Sequence, residues 1–586
     1  MLVVFTLISL CIFSLNEGKI FAGNKYQNEN LKQCVSHIIE KYFSKYSHLS
    51  VIDVHHDSDE IIEVIRSVAT LSIILKGNYI DESILDESYL IINENATEFV
   101  NNLRYLKTDY AWNPNGRFLI IIKSLFKSEL EQIFDTLLKY HIIDVLVLAE
   151  YFDPGLYTYN PFENYGCGRR YDRIIEFGKF PAFKNENLYP YKLVTGLRNC
   201  TFKVLSVHLP PYSIDPSKSN LSKTIKGIEE IILRQISELE QFSVEYRYDQ
   251  NAEIFTTITS KMLAVGPMKS LQIGDADVIL GGMILSQLRA RAFNYIHNHL
   301  PFSDEFRYQV KKASPIAFWK TVYLEFHATV WAIFIFTFLV YLAILIILTK
   351  PKDIKRVILQ MFGSLTEQPT KLRGNYFTKY FFIIWVWFAY IVSIYYTSSL
   401  VSLTANPLME YQISNEKDIY KYNLKPCIGN VISTYINSAE NITIQNKVGS
   451  RCYKLLDSID TVSKSSDSYT ITLYSIYKFH EHKFFDDSGK PMIYSFDKPL
   501  GKVIYAIYFY DGFPMMRRLN LHASRLRENG FVQYHITNLG WQNKKNIHFS
   551  AKARKLHVLV PWSIFICGHL ISLVVFLLEI ISNKLK

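Results

Sequence analysis

The sequence is short of charge and of cysteine for a chain of 586 residues. Charged residues make up 20% and hydrophobic residues 49%, a balance that excludes a disordered protein. The net charge of +10 is modest, and no dense run of Lys and Arg indicates a nucleic-acid partner. Seven scattered cysteines are too few for a disulfide scaffold or a zinc ribbon.

The common enzyme motifs are also missing. The sequence contains no GxSxG, P-loop or GxGxxG motif. The triplet His480-Glu481-His482 lacks the spacing that places two imidazoles on one helix face for zinc. The polar stretch His55 to Glu60 is interpreted as a solvated loop. We therefore expect neither catalysis nor a metal site, and no cofactor.

Long hydrophobic runs, in contrast, are present. Three of them are long enough to cross a hydrocarbon core near 30 Å, which takes about 20 helical residues. They predict transmembrane helices over 328–349, 381–404 and 557–579.

A fourth apolar stretch, Ile354 to Leu365, lies between the first two runs and is too short to cross. In a membrane setting such a stretch is typical of a re-entrant helix. The loops over 350–380 carry more Lys and Arg than Asp and Glu, so the positive-inside rule places them in the cytoplasm. The tail at 580–586 is expected on the same side.

The beginning of the chain is apolar from Leu2 to Leu15, a length typical of a secretory signal. We predict a signal peptide over 1–22, with a short buried helix as the alternative. Four N-glycosylation triplets fall in segments predicted to be extracellular. They begin at Asn95, Asn199, Asn220 and Asn441.

Three segments outside these runs, 23–190, 191–327 and 405–556, mix short strands and helices. Over residues 117–148, two buried strand patterns flank a helical one and predict a β-α-β unit. The second and third segments are two α/β pieces interrupted by the apolar runs. The fold class is therefore a multidomain membrane protein. Its two α/β pieces form one bilobed clamshell, similar to periplasmic binding proteins and split by a pore-like insertion made of the apolar runs.

Several motifs resemble the ionotropic receptors of insects, a variant branch of the ionotropic glutamate receptors, and most of all their divergent chemosensory members. Gly363 to Gln368 is similar to the pore-loop tip, and Tyr396 to Leu400 followed by Leu403-Thr404 is similar to the gate motif. Gly274 to Asp277 with a following arginine resembles the first-lobe motif. Gly568-His569-Leu570 resembles the last membrane helix.

The resemblance implies roles for individual residues. Gln368, beside Glu367, takes the position that sets ion selectivity. The gate residues are Tyr396, Thr397, Leu400 and Thr404. The arginine that binds a ligand carboxylate is Arg289 or Arg291, and both remain open.

The resemblance also implies a function. It is that of a chemosensory, ligand-gated, non-selective cation channel subunit that detects small molecules by smell or taste. Such a subunit works in a heteromer with a co-receptor of the same family, in contact with membrane lipids. Its expected location is the plasma membrane of a sensory-neuron dendrite, with the N-terminus outside and the C-terminus in the cytoplasm.

Three departures from the family pattern leave an alternative open. Ile284 replaces the threonine that helps to bind glutamate, so glutamate is not the expected ligand. Pro369 replaces the glycine after the pore-loop tip, and the gate motif is one residue short. The alternative is a non-conducting binding or assembly subunit of such a receptor.

Five cysteines lie in the segments predicted to be extracellular. An odd number leaves at least one of them unpaired within the chain, and the sequence does not fix the connectivity. We favour a local bridge between Cys427 and Cys452 in the second α/β piece.

Overall fold

The computed structural model describes most of the chain from residue 30 onwards. The described residues are 30–43, 48–53, 63, 65, 72–75, 85–109, 111–149, 155–194, 196–217, 226–249, 257–259, 262–317, 320, 323–349, 354–370, 375–405, 408–439, 452–486, 489–545 and 559–584. The predicted signal segment and the sequons at Asn220 and Asn441 lie outside them.

The part of the chain before residue 195, here called the N-terminal unit, is built on one seven-stranded sheet of order β2-β1-β3-β4-β5-β6-β7. Its strands are β1 His48–Asp53, β2 Ser72–Leu75, β3 Ser88–Asn93, β4 Arg117–Ile122, β5 Val145–Ala149, β6 Gly155–Tyr159 and β7 Ile174–Lys179. Its helices are α1 at 30–42, α2 Ala96–Leu106 and α3 Leu130–Lys139.

Helices cover both faces of this sheet because its central strands are apolar at every position. In β3, Tyr89 and Ile91 pack in one core with α2 and α3, whereas Leu90 and Ile92 pack in another with α1. The strands from β1 to β5 pair in parallel and the last two antiparallel. The predicted β-α-β unit is confirmed by the parallel pairing of β4 and β5 around α3.

In the next part of the chain, the described residues form strands of two to eight residues and two longer helices. The strands are β8 Thr201–Val207, β9 Ser243–Asp249, β10 Thr257–Ile258, β11 Ala264–Val265, β12 Val278–Leu280, β13 Asn294–Ile296 and β14 Asp304–Lys311. The helices are α4 Ile228–Glu240 and α5 Gln287–Ala292, with a four-residue turn of helix at Lys269–Gln272 between them.

Three apolar helices follow. They are α6 Ala328–Thr349, α7 Ile354–Leu365 and α8 Tyr376–Ala405. Among the described residues, two stretches are long and apolar enough to cross a membrane, Ala328–Thr349 and Tyr376–Ser402. Helix α8 starts five residues before the predicted span, since Tyr376 to Tyr380 extend the same helix.

The rest of the chain returns to mixed structure. Its strands are β15 Lys425–Pro426, β16 Ser468–Leu473, β17 Ile493–Ser495, β18 Gly501–Val503 and β19 Ile507–Phe509. Its helices are α9 Glu416–Lys421, α10 Asn430–Ala439, α11 Leu455–Lys464, α12 Tyr474–His480, α13 Met516–Glu528, α14 Phe531–Lys545 and α15 Leu559–Lys584. Within α15, the apolar stretch is Phe565–Leu578.

Two five-stranded sheets combine strands from both sides of the apolar helices. Lobe 1 is the sheet β13-β19-β12-β8-β9 with its packed helices, and lobe 2 is the sheet β15-β16-β14-β17, in which β18 also pairs with β14. Strand β14 carries the chain from lobe 1 into lobe 2, and β19 carries it back. This shared pairing means that the two α/β pieces fold together although three helices separate them in the sequence.

Candidate functional site

The region where the two lobes meet is organised around one buried carboxylate, Asp304, which is the first residue of β14 and 3% exposed. Its oxygens accept hydrogen bonds from the hydroxyl of Tyr212 in lobe 1 (3.1 Å) and from that of Tyr505 on the return crossover (2.7 Å). In lobe 2, Ser475 donates its backbone N–H over 3.0 Å and also its hydroxyl. Asp304 therefore links lobe 1, lobe 2 and the crossover between them.

Arg289 lies beside this region on α5, which Ser286 caps by accepting from the Arg289 backbone N–H. The side chain is only 8% exposed, and its Nη1 donates to the carbonyl of Ile284 over 2.7 Å. Burial lowers the pKa of this guanidinium, whereas Tyr508 and Tyr435 raise it. Because Tyr435 belongs to α10 of lobe 2, Arg289 is placed where the lobes face each other.

Arg291, two residues further, is placed elsewhere. It lines a cavity between lobe 1 and the N-terminal unit together with Trp112 and Asp511. The two arginines that the sequence leaves open as alternatives therefore lie at different surfaces: Arg289 faces lobe 2, and Arg291 faces the N-terminal unit.

The half-length helix α7 packs between the two longer apolar helices. Its Val357 and Met361 are buried with Leu345 of α6 and Trp385 of α8. The indole Nε1 of Trp385 donates to the Ser364 hydroxyl over 2.8 Å, and Trp385 is fully buried. Helix α7 is thus held against both neighbours rather than extended into solvent.

The end of α7 carries the two residues predicted to set selectivity. Glu367 adopts a left-handed backbone conformation (φ 57°), and its carboxylate accepts from the Ser393 hydroxyl of α8 over 3.3 Å. The backbone N–H of Gln368 donates to the Gly363 carbonyl over 2.8 Å. Both residues are exposed at the tip of the turn that follows α7.

The predicted gate residues lie on the last turns of α8. The Tyr396 ring is 5.9 Å from that of Phe326 and 6.3 Å from that of Trp331 at the start of α6. The Thr397 hydroxyl donates to the Ser393 carbonyl over 2.8 Å, and Leu400 is partly buried. Thr404 is helical, although its side chain lies outside the described residues.

The N-terminal unit corresponds to a known family model. Residues 22–194 match the model described as "Putative ionotropic receptor, ligand binding domain". This match supports membership of the ionotropic receptor family. The matched range excludes every pore, gate and first-lobe motif quoted above, so different parts of the chain point to the same family. No curated protein matches the chain.

The same match supports a receptor of the membrane-protein class. The family model assigns ligand binding to a range that the sequence motifs did not mark. The sequence motifs for ligand contact lie instead in lobe 1.

The remaining predicted site residues are placed as follows. Asn95 is the exposed N-cap of α2, where its Oδ1 accepts from the Glu98 backbone N–H over 2.9 Å, and Asn199 is exposed just before β8. Cys427 and Cys452 form a disulfide with a Cα separation of 5.1 Å. A second disulfide joins Cys167 to Cys200 and was not paired from the sequence.

Sequence reasoning did not identify the Asp304 network. Its donors Tyr212, Ser475 and Tyr505 lie 92, 171 and 201 residues from Asp304 in the sequence, so no local spacing marks them. The one available signal is the dipeptide Pro211-Tyr212 after the β8 strand pattern, since a chain reversal there places a tyrosine at the carboxyl end of a strand.

Proposed function

We propose that this chain is a subunit of a chemosensory, ligand-gated, non-selective cation channel, formed with a co-receptor of the same family. The observation that carries the proposal is helix α7, a helix too short to cross a bilayer that packs between two helices long enough to do so. An element of that length and packing is what a re-entrant pore helix requires. Glu367 and Gln368 at its end then line the ion path.

The transmembrane arrangement is part of the same proposal. It comprises spans at α6, α8 and α15, with α7 entering and leaving on the cytoplasmic side. Large apolar side chains such as Ile333, Phe336 and Ile347 are exposed along α6, which suits a surface facing lipid or neighbouring subunits. The signal peptide, the glycans at Asn95 and Asn199, and residence in a sensory dendrite belong to the proposal as well.

Gating follows from the shared sheets. The chain enters α6 after β14 and leaves α8 towards β15, and both strands belong to the sheet of lobe 2. A movement of lobe 2 relative to lobe 1 therefore pulls on the start of α6 and the end of α8. We infer that ligand binding changes the angle between the lobes and pulls on Tyr396 to Thr404. A small molecule other than glutamate is the expected ligand, since Ile284 contributes its carbonyl to Arg289 rather than a hydroxyl to a ligand.

A non-conducting subunit is the second candidate. The observation that favours it is the position of Asp304, whose carboxylate accepts hydrogen bonds from Tyr212 of lobe 1 and Ser475 of lobe 2. Because these bonds already join the two lobes, a ligand has less movement of the lobes to drive. Pro369, which follows the turn at Glu367, is also compatible with a non-conducting subunit.

Recording from cells that express this chain with a co-receptor separates the two candidates. A conducting subunit gives ligand-evoked currents whose cation selectivity changes on Gln368→Arg. Robust currents with unchanged selectivity would remove Gln368 from the ion path. Currents that depend on the co-receptor alone would favour the silent subunit.

The position of α7 can be tested without currents. Cysteines introduced at the exposed positions Lys355 and Asn375 should react with an impermeant maleimide from the same, cytoplasmic face. A cysteine at Tyr420, which is 73% exposed, should react from the opposite face. Labelling of Lys355→Cys and Asn375→Cys from opposite faces would contradict a re-entrant helix.

A further inference from the structure

The N-glycosylation triplet Asn199-Cys200-Thr201 contains one half of a disulfide. Its middle residue, Cys200, is bonded to Cys167, with a sequence separation of 33. Asn199 is exposed in the folded chain, whereas Cys200 is 3% exposed and belongs to the core of lobe 1. The same short segment is therefore both an acceptor for a glycan and an anchor of the bridge that ties the N-terminal unit to lobe 1.

In the folded structure, all three residues of the triplet are bonded to other parts of the chain. The Asn199 backbone N–H donates to the Gln241 carbonyl over 3.1 Å. The Cys200 carbonyl accepts from the Ser243 backbone N–H over 2.8 Å. Thr201 is the first residue of β8 and pairs with Ser243, and the hydroxyl oxygens of these two residues lie 2.7 Å apart. The triplet is thus fixed along its whole length.

The threonine hydroxyl decides whether the triplet can be modified. The oligosaccharide transferase recognises a hydroxyl on the third residue, which is why the triplet requires Ser or Thr there. In the folded chain that hydroxyl is bonded to Ser243, and the Thr201 carbonyl accepts from Arg169 over 3.0 Å. A triplet held in this way cannot enter an active site as a free segment. Asn199 is therefore a substrate only before this part of the chain folds.

The order of synthesis makes the bridge compete with the glycan. Cys167 precedes the triplet, so both cysteines are present as soon as Cys200 has been made. Ser243 follows Thr201 by 42 residues, which takes about 2–8 s at a synthesis rate of roughly 5–20 residues per second. Disulfide formation takes from seconds to hours, so its fast cases fall within this interval. The two reactions of the triplet therefore overlap in time.

We propose that Asn199 is a conditional glycosylation site, modified only in chains whose triplet reaches the transferase before Cys200 bonds to Cys167. In the glycosylation step, the Asn199 Nδ2 bonds to the anomeric carbon of a lipid-diphosphate-linked oligosaccharide. The bond from that carbon to the diphosphate breaks, the lipid diphosphate leaves, and the amide loses one proton. In the competing step, the two thiols give two electrons and two protons to the disulfide of an oxidoreductase, which becomes a dithiol.

The order of the two reactions matters in one direction only. Because Asn199 is exposed, a glycan attached there extends into solvent and leaves Cys200 able to form its bridge afterwards. A bridge that forms first excludes the glycan. The chain therefore exists in two forms, with and without a glycan where the N-terminal unit meets lobe 1. The conditional site rests on the extracellular placement of this segment in the proposed function.

Asn95 provides an internal reference for this site. Its triplet, Asn95-Ala96-Thr97, contains no cysteine, and both Asn95 and Thr97 are exposed. A glycan at Asn95 reports that the N-terminal unit has entered the secretory pathway. The fraction of chains modified at Asn95 should not respond to the bridge between Cys167 and Cys200.

The test expresses the full chain in cultured animal cells and measures the occupied fraction of each site by mass spectrometry of the glycopeptides. We expect a glycan at Asn199 in a minority of wild-type chains. Cys167→Ser, which keeps the triplet unchanged, should raise that fraction about two-fold or more. A pulse of dithiothreitol during synthesis should raise it in the wild-type chain, without any substitution. Cys427→Ser, which breaks the other bridge, should leave the occupancy of Asn199 unchanged, and the occupancy of Asn95 should stay constant throughout.

Cys200→Ser separates the bridge from the identity of the middle residue, since Asn-Ser-Thr is still a glycosylation triplet. We expect it to match Cys167→Ser. A rise in Cys200→Ser alone would overturn the proposal, as would near-complete occupancy of Asn199 in the wild-type chain or no rise in either variant. A glycan at Asn95 with an unresponsive Asn199 contradicts the conditional site alone. No glycan at either residue in any variant contradicts the extracellular placement as well.

Discussion

At the scale of single residues, the molecule depends on buried carboxylates whose partners come from distant parts of the chain. Asp304 accepts from Tyr212, Tyr505 and Ser475, and all of these donors except the partly buried serine are almost fully buried. Removing a buried acceptor leaves its donors without a partner, which costs more than the bond itself contributes. The contact between the lobes should therefore be sensitive to this one side chain.

Replacing Asp304 by Ala should loosen the start of α12. The loss of acceptors for two buried tyrosine hydroxyls and one backbone N–H costs about 3 kcal/mol, or roughly 100-fold in a local opening equilibrium. Hydrogen–deuterium exchange at residues 474–480 should accelerate accordingly, and Asp304→Asn should show a smaller effect. The neighbouring Glu305→Gln, which breaks only partly exposed ion pairs with Arg307 and Lys502, is the control. Unchanged exchange in Asp304→Ala would show that Asp304 does not hold the lobes.

Asp511 should make the seam between the N-terminal unit and lobe 1 sensitive to pH. Its pKa is raised from 3.8 to about 7 in the folded protein, so the folded state holds more protons than the unfolded state across that interval. The stabilisation is complete below pH 3.8 and is lost as the pH rises through 7. His141 acts in the opposite direction, because its pKa falls from 6.5 to about 4 and its stabilisation is lost on acidification through 4.

Between pH 8 and 6.5 the stabilisation from Asp511 grows by more than that from His141 shrinks, because the step passes through 7, the folded pKa of Asp511, and only reaches 6.5, the unfolded pKa of His141. We expect the Tm of the purified chain to rise by up to about 1 °C over that step, as followed by intrinsic fluorescence. Asp511→Asn should flatten the dependence, and Asp109→Asn on the same cavity should retain it. A wild-type Tm that falls from pH 8 to 6.5 would contradict the assignment.

At the scale of elements, the apolar helices illustrate what the sequence does and does not determine. The length of Ile354–Leu365 and its apolar character were sufficient to predict a half-length helix, because both are local properties. The face that packs was not predictable, since Trp385 and Ser364 meet across two helices. The strands β4 and β5 were readable from their runs of apolar residues for the same local reason.

The hydrogen bond between Trp385 and Ser364 should contribute to the packing of α7 on α8. Trp385→Phe keeps a ring but removes the donor, and Ser364→Ala removes the acceptor. We expect a coupling energy of about 0.5–1.5 kcal/mol in the double-mutant cycle, measured by unfolding in mixed micelles. Trp387→Phe, at a side chain that is 63% exposed, should change the free energy of unfolding by less than about 0.5 kcal/mol. A coupling energy of zero would mean that the two side chains do not act together.

At the scale of the whole molecule, the chain passes between its parts more often than local patterns reveal. Strand patterns predicted α/β pieces on both sides of the apolar helices. They did not show that β14 pairs in the sheet of lobe 2 or that β19 pairs in the sheet of lobe 1. Pairing between strands that are hundreds of residues apart leaves no local signal in the sequence. The sequence also did not show how the N-terminal unit is attached to lobe 1. Cys167 and Cys200 have several possible partners by sequence, and only the fold brings these two together.

The disulfide between Cys167 and Cys200 should hold the N-terminal unit on lobe 1. It closes a loop with a sequence separation of 33, for which the chain-entropy model gives about 3–4 kcal/mol. The Cys167→Ser, Cys200→Ser double variant should therefore exchange backbone hydrogens faster on both sides of the seam, at residues 139–143 and 510–513. The Cys427→Ser, Cys452→Ser variant should accelerate exchange in lobe 2 and leave the seam unchanged. If the seam exchanges at the wild-type rate without its disulfide, then Phe162, which shares the core of lobe 1, and the Arg169–Asp277 pair are sufficient to hold the two units together.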